Sequence, residues 1–570
     1  MQYRNCTIWE KWYKMGNSSA WDFVFTAKSI KWRSGEKTVR ERIVRFGKRL
    51  PEWFTAGAAF VYYWIMALYK LTQTPIWQDE AMEFYCSLPV RGPIEGVTKL
   101  TSMYERMAYI QQQPPLYNWV MCLWLRVSEG EWWYRFSSVV FGFGAAIGLY
   151  CVIKRLCDRY MAAFCVVISS SIYIWMYYIK EASEYAMLVM VLLWLVYALI
   201  LICEELSVKR IIIFTLLCVV AVYTHYGAVF AVVPMAVGVL VIAWMRKAFK
   251  SFRIGLGAFA VAGIAGGVPL IWFFMLPQST NQVSTLFSER EIIIENGNLF
   301  GDFCFSLASV FKWCLIDIDR DTQRLGLLLN LLLIVLIVTL VYTAVKTDSF
   351  FIKTFFWCNV AVFMLYYVVT KLNLYAYGWY GNRYNMFIFP LWLIWILVSL
   401  YEFVRILGKS RKKAVSRLSG FVGVCLVMSG LLYCLYGDYR ISNHWWKMDL
   451  RTVVQEWYDL EGYDTPTILD FHQRYAFVYY FTHDARYDEA QWENIHYNDE
   501  VETYSNNRSE PFREYIQKIY DNQLPEEVYL VTGQWNAFCK AFEHLGYTVE
   551  PVVDTTAKLY RAVKNEEVTQ

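Results

Sequence analysis

The stretch YAMLVMVLLWLVYALILIC, residues 185–203, runs for nineteen residues without a charged side chain, a glycine or a proline. As a helix it would rise about 28 Å, close to the hydrocarbon thickness of a bilayer. Working outward, further apolar runs of spanning length fall at about 53–71, 134–153, 161–179, 211–226, 227–245, 254–275, 326–345, 354–370, 385–404 and 418–436, eleven in all. The 570 residues are 57% hydrophobic and 18% charged. Soluble chains carry about a quarter charged residues, so the composition excludes a water-soluble enzyme of several domains.

The distribution of Lys and Arg sets the expected orientation. Twelve of them lie in the first 52 residues, a segment too long and too charged to be the n-region of a signal peptide. Counting eleven spans from a cytoplasmic start places KRLCDR (154–159), EELSVKR (204–210), RKAFKSFR (246–253), KTDSFFIK (346–353) and RILGKSRKKAVSR (405–417) inside. These loops are short and basic, as the positive-inside rule requires. The loops left outside, 72–133, 180–184, 276–325 and 371–384, are long or acidic. PPLYNWVMCLWLRV (114–127) is too short for a span and is expected in or near the outer interface.

After residue 436 the pattern becomes that of a soluble domain. Residues 438–570 hold 24 acidic against 12 basic side chains, which leaves a surplus of +16 on the rest. Asp449 is placed to cap a helix reaching about Leu460, and TILDF (467–471), EVYLVTG (527–533) and YTVEPVV (547–553) read as strands. PFREYIQKIY and WNAFCKAFEHLG read as helices, the second ending at Gly546. The expected architecture is an all-α polytopic membrane domain of about 11 transmembrane helices followed by a soluble α/β domain. Its parts are a basic cytoplasmic segment (1–52), the membrane domain (53–436, with the large outer loop 72–133) and an extracytoplasmic domain (437–570). The 14 cysteines form no CxxC pair and indicate neither a zinc site nor a disulfide scaffold.

Chemistry-bearing residues collect on the expected outer face. WQDEAMEFY places Trp77, Asp79, Glu80 and Glu83 just beyond the first span. Adjacent carboxylates repel, and burial raises the pKa of the less solvated one, which suits a general base or a metal ligand. A solvated acidic loop is the plainer alternative. YYIKEASEYAML brings Glu181 and Glu184, one helical face apart by i, i+3, to the mouth of the third and fourth spans. His225 in VYTHYG ends the fifth span. Outer cations are few: Arg135 opens the second span, and Lys371 and Arg383 flank KLNLYAYGWYGNRY, with Tyr375, Tyr377, Trp379, Tyr380 and Tyr384 nearby. Arg or Lys with tyrosine hydroxyls suits a phosphate at a membrane surface, while snorkelling and aromatic-belt anchoring account for the same residues structurally.

Five pieces occur in order: DE in the first outer loop, PPLY with LWL after it, WxYRFSS, YYxxEAxEYAM and YTHYG. Together they resemble the GT-C membrane glycosyltransferases, and among these the group containing the protein O-mannosyltransferases and the lipid A aminoarabinose transferase. The resemblance covers roughly residues 53–230, with a weaker echo at GNRYNMFIFP (381–390). It implies inverting transfer of a sugar from a polyprenyl-phosphate carrier to a glycan, lipid or protein acceptor, at the periplasmic face of a bacterial inner membrane. Lipopolysaccharide is among the acceptors it allows, and no nucleic-acid partner is expected.

On this chain the resemblance makes Asp79 the essential acid, with Glu80 completing the pair, and leaves Glu181 and Glu184 both open as the second acidic position. Arg135, Lys371 and Arg383 become candidates for phosphate contact, with Gln113, Tyr117, Tyr375, Tyr384 and His225 as further substrate-binding candidates. Some relatives use a divalent cation, which Asp79 and Glu80 would hold; the sequence itself requires no cofactor. The family's usual His before PPLY is Gln113 here, a side chain that exchanges no proton near neutral pH. The rival readings are a flippase for a lipid-linked sugar and a membrane protein whose carboxy-terminal domain binds glycan. Paired half-repeats with broken midplane helices, the usual transporter signature, are not evident.

Overall fold

The computed structural model describes residues 51–89, 102–111, 113–280, 299–316, 326–372, 374–375, 383–443, 447–470, 473–497, 510–520, 523–533 and 537–565. Residues 1–50 and Tyr377, Trp379 and Tyr380 fall outside that set. Eight of the expected runs form helices long and apolar enough to cross a membrane, from Glu131–Leu156 to Lys413–Asn443. The run at 161–179 is two helices, Arg159–Ser170 and Tyr173–Ile179, bent by 75°. Those at 53–71 and 211–226 are the 17-residue helices Glu52–Leu68 and Val208–Thr224. The helix Glu184–Glu204 is central, 78% of its apolar window being buried, whereas Phe249–Gln278 is peripheral at 11%.

Within the first loop the chain forms three short helices, Gln78–Ser87, Met103–Tyr109 and Leu116–Trp124. The second starts in a capping box between Ser102 and Glu105. The third is nine residues long and too short to span. It is clipped to the start of the Glu131–Leu156 helix by Trp124 and Trp133, whose rings stack at 4.5 Å. Each indole N–H donates to the other residue's carbonyl, at 2.9 and 3.0 Å. A further helix, Leu299–Ile316, stands in the region the sequence leaves as loop.

The carboxy-terminal part carries a five-stranded sheet of order β2-β1-β3-β5-β4. Strands β1 (Thr467–Leu469), β2 (Ile495–Tyr497) and β3 (Glu527–Thr532) are parallel, while β4 (Tyr547–Asp554) and β5 (Lys558–Lys564) add antiparallel. Helices cover both faces, so β1 and most of β3 are buried and read as continuous apolar runs. Asp449 caps Leu450–Asp459, accepting from the Thr452 N–H, and Gly546 takes φ +87° after Ala537–His544. One sheet face packs with Phe538, Phe542 and Ile516. The other joins Trp457, Tyr475, Phe477 and Tyr479 to Phe84, Tyr85, Tyr117 and Tyr134 in a single apolar cluster. The sheet and the first loop therefore share a core.

The bend at Ser171 is braced by polar contacts inside the bundle. Tyr62 Oη lies 2.7 Å from Ser171 Oγ and donates to Asp438 at 2.7 Å. Gly437, on the same helix as Asp438, lets that helix approach so closely that an added Cβ would lie 1.8 Å from the Ser171 carbonyl oxygen. Since the obstacle is backbone, Gly437→Ala is expected to lower the melting temperature in detergent, at a cost of about 1–3 kcal/mol. Gly257→Ala, which meets nothing within 4 Å, is the control that should melt normally.

Candidate active site

The helix Gln78–Ser87 brings three acids to the end of the bundle that carries the sheet, and each meets a different environment. Successive helical residues turn by about 100°, so Asp79 and Glu80 leave on different sides while Asp79 and Glu83 share one.

Glu80 is buried, and both its oxygens are held by cations. Arg135 donates from Nε at 2.8 Å and from Nη2 at 2.7 Å; Lys447 donates from Nζ at 2.6 Å. The Ala182 N–H adds a bond of 3.0 Å. Arg135 also reaches Glu131 at 2.9 Å and the carbonyls of Leu71, Thr74 and Pro75. Lys447 lies 3.0 Å from Glu181 Oε2, between the rings of Trp77 and Tyr177. Burial alone would raise the Glu80 pKa, but the Arg135 and Lys447 charges outweigh it and hold the carboxyl down at about 2.

Asp79 turns instead to Arg383, with which it forms a direct ion pair at roughly a quarter exposure on each side chain. The Arg383 guanidinium sits 5.6 Å from the Trp77 ring centre and 5.7 Å from that of Tyr384. These residues open onto a cavity of about 40 Å³, also lined by Glu80, Glu83, Gln111, Gln113, Glu181 and Glu184. Glu83 accepts from Asn118 Nδ2 at 3.1 Å and shares the cavity wall with Glu184. Burial, with the nearby Glu181 charge, raises its pKa to about 7 despite the hydrogen bond from Asn118. Burial also raises the Glu181 pKa, against the opposing pull of Lys447. Around the cavity, Tyr117 Oη, Ser183 Oγ, Glu184 Oε1 and both amide atoms of Gln111 are buried without a hydrogen-bond partner among the described residues.

Of the residues singled out from sequence, Asp79, Glu80, Gln113, Glu181, Glu184, Arg383 and Tyr384 line this one cavity. Tyr117 is buried beside its acids. Tyr375 stands behind it, donating to the Tyr384 carbonyl at 3.2 Å. Arg135 is sealed into the Glu80 cluster. Lys371 pairs with Asp302 at 2.8 Å and His225 takes the Gly227 N–H on Nδ1 at 3.0 Å, neither lining the cavity. Lys447, Gln111 and Asn118 were not anticipated. The signal for Lys447 was a cation beside the tandem tryptophans that follow the last span. Glu80 offers no oxygen to a divalent cation, because Arg135 and Lys447 already take both, and Arg383 holds Oδ2 of Asp79. No group of three or more metal-ligating side chains occurs among the described residues.

Residues 112–272 match the family model described as dolichyl-phosphate-mannose-protein mannosyltransferase. Among solved structures, the chain is similar to ArnT from Cupriavidus metallidurans bound to undecaprenyl phosphate, with a TM-score of 0.52 at 12% identity, over 89% of this chain and 97% of that one. The same protein in the apo state gives 0.50 at 12% identity over the same shares. A comparison with curated protein sequences finds no match. At this identity the likeness establishes a common fold, the one that the ordered motifs resemble.

Two outcomes follow from the electrostatics. Lys447→Met leaves Glu80 and Glu181 short of a buried cation and should destabilise the protein by about 3–5 kcal/mol, read as a fall in melting temperature. Glu83, raised from an ordinary 4.5 to about 7, stabilises the fold fully below about pH 4.5, and that contribution is lost as pH rises through about 7. Glu80 has the opposite sign and loses its contribution only as pH falls toward about 2. Melting temperature should therefore decline between about pH 5 and pH 8, and decline less in Glu83→Gln.

Proposed function

Taking as its premise a chain with the fold of the GT-C glycosyltransferases, we propose that this protein transfers a sugar from a polyprenyl-phosphate carrier to an acceptor hydroxyl at a membrane surface. The observation that carries the reading is the Asp79–Arg383 pair opening onto a cavity closed by Glu83, Glu181 and Glu184. An acid to handle the acceptor and a cation for the departing phosphate stand side by side there. Undecaprenyl phosphate, bound in the structurally similar ArnT, is of the carrier class this requires.

The reaction is a single displacement. The acceptor oxygen attacks the anomeric carbon, the carbon–oxygen bond to phosphate breaks, and its electron pair leaves with the polyprenyl phosphate. Asp79 aligns the acceptor hydroxyl or takes its proton. Arg383, exchanging Asp79 for the phosphate, stabilises the developing negative charge. Tyr384 and Gln113 border the same space. Inversion follows from one displacement without a covalent sugar intermediate. Glu80 and Arg135 hold the frame and take no part in bond exchange.

The supported topology has eleven spans: the eight long helices, the bent pair and the two 17-residue helices. The basic loops gather at the end opposite the cavity, where Arg155 pairs with Glu204 and Arg405 with Glu402. That distribution supports a multi-pass bacterial inner-membrane protein with segment 1–52 in the cytoplasm, 53–436 as the membrane domain, 437–570 outside and the site facing the periplasm.

Purified protein in vesicles, given labelled polyprenyl-phosphate sugars and a membrane extract, should move label into a lipid, glycan or protein acceptor. Asp79→Asn should reduce this by about 10²–10⁴-fold at normal protein levels, and Arg383→Gln should reduce it while weakening donor binding. Flipping of the labelled lipid with no transfer would reject the enzyme in favour of a flippase.

A further inference from the structure

Glu83 and Glu184 form a pair of a kind that the Asp79–Arg383 reading does not use. Glu83 is 6% and Glu184 2% exposed, both line the same cavity of about 40 Å³, and neither forms an ion pair among the described residues. Two anions this close in a low-dielectric site are mutually unstable, so the pair is stable with one shared proton and a net charge of −1. Glu184 is the first residue of the helix Glu184–Glu204, where the helix dipole favours an anion. Glu83 lies inside a short helix and receives the Asn118 amide.

The other charged groups around Glu83 are already committed. Asp79 is held by Arg383 and Glu80 by Arg135 and Lys447 on its own helix side; Glu181 is held by Lys447 from the neighbouring loop. Arg106, on the adjacent helix, donates to the carbonyls of Tyr85 and Leu88. Tyr134 donates to the Glu80 carbonyl, and Tyr117 presents a buried hydroxyl. Gln111 and Gln113 exchange no protons. Glu184 Oε1 is buried, has no hydrogen-bond partner among the described residues, and belongs to a residue lining the cavity.

We propose that Glu83 and Glu184 act together as the proton acceptor of the reaction, leaving Asp79 to orient the acceptor hydroxyl. The inference rests on the transferase reading above. The acceptor O–H bond breaks and its proton joins the pair, which passes from net −1 to neutral as the carbon–oxygen bond to the sugar forms. The polyprenyl phosphate leaves with the electron pair of the broken bond, and the pair then returns one proton to water. A pair that holds one proton and takes a second supplies the exchange that Gln113 cannot.

The test is steady-state kinetics of the purified, vesicle-embedded protein with labelled polyprenyl-phosphate sugar. Glu83→Gln and Glu184→Gln should each lower kcat by about 10²-fold or more with KM for the donor little changed, and the double variant should be no worse than the poorer single one, as for groups acting as a unit. Added formate should restore part of the activity of Glu83→Ala, a response that a merely structural role would not give. The kcat of the unaltered protein should rise with pH through a transition near neutrality that Glu83→Gln removes. Should the variants fail to fold, that transition decides alone, and a flat profile overturns the proposal. Full kcat in folded Glu83→Gln, or no formate rescue, also overturns it, while Asp79→Asn inactivation would leave the transferase reading intact. Absence of transfer by the unaltered protein would reject the transferase reading first.

Discussion

The enclosed carboxylate of Glu80 dictates the arrangement around it. A buried anion is tolerable only when paired and fully hydrogen-bonded, and Glu80 reaches that state through groups far apart in sequence. Arg135 comes from the helix Glu131–Leu156, Lys447 from just after the last long helix, and the Ala182 N–H from the loop before the central helix. None of the three can drift without leaving a charge stranded in the interior. The cluster thereby fixes the first loop, two membrane helices and the sheet-bearing segment in one register.

From that fixed point the chemistry of the neighbouring acids follows by helical geometry. Glu80 consumes the strongest cations, so Glu83, one turn further along, faces Glu184 with none to spare. Asp79, turned away by one residue, finds Arg383 at a partly exposed position. Three acids within five residues thus acquire three characters: permanently charged, charged but exchangeable, and poised to share a proton. Environments that push carboxyl pKa values apart, about 2 for Glu80 and about 7 for Glu83, let a site hold charge and move protons at one pH.

The membrane architecture was legible because hydropathy over a span is a sum of many like terms, insensitive to tertiary detail. All eleven runs lie on helices, though Glu52–Leu68 and Val208–Thr224 are short and the third run bends at Ser171. The bend was invisible since Ser171 carries no breaker; it depends on Tyr62, Asp438 and the close approach at Gly437. Strands β1, β3 and β4 were readable from their apolar runs, whereas three-residue β2 and the Lys- and Arg-bearing β5 are strands because of their partners. At the site, residue types and their shared face were readable but pairings were not. Arg135, a phosphate candidate by type, is spent on Glu80, and Lys371 on Asp302. Lys447 reaches the centre only through docking of a sheet whose core merges with the first loop.

The same contacts separate a rigid wall of the cavity from a yielding one. A space of about 40 Å³ holds a few water molecules and no sugar, so substrate entry requires displacement of a lining group. Moving Glu80, Arg135 or Lys447 would strand a buried charge at a cost of several kcal/mol. Parting Arg383 from Asp79 costs less, since this pair keeps about a quarter of its surface in contact with solvent. The rings of Trp77 and Tyr384 keep the guanidinium close to a phosphate arriving at that side. On the proposed transferase reading, donor binding and exposure of the Asp79 carboxylate become one event, in which the cation released by the acid is taken up by the leaving group.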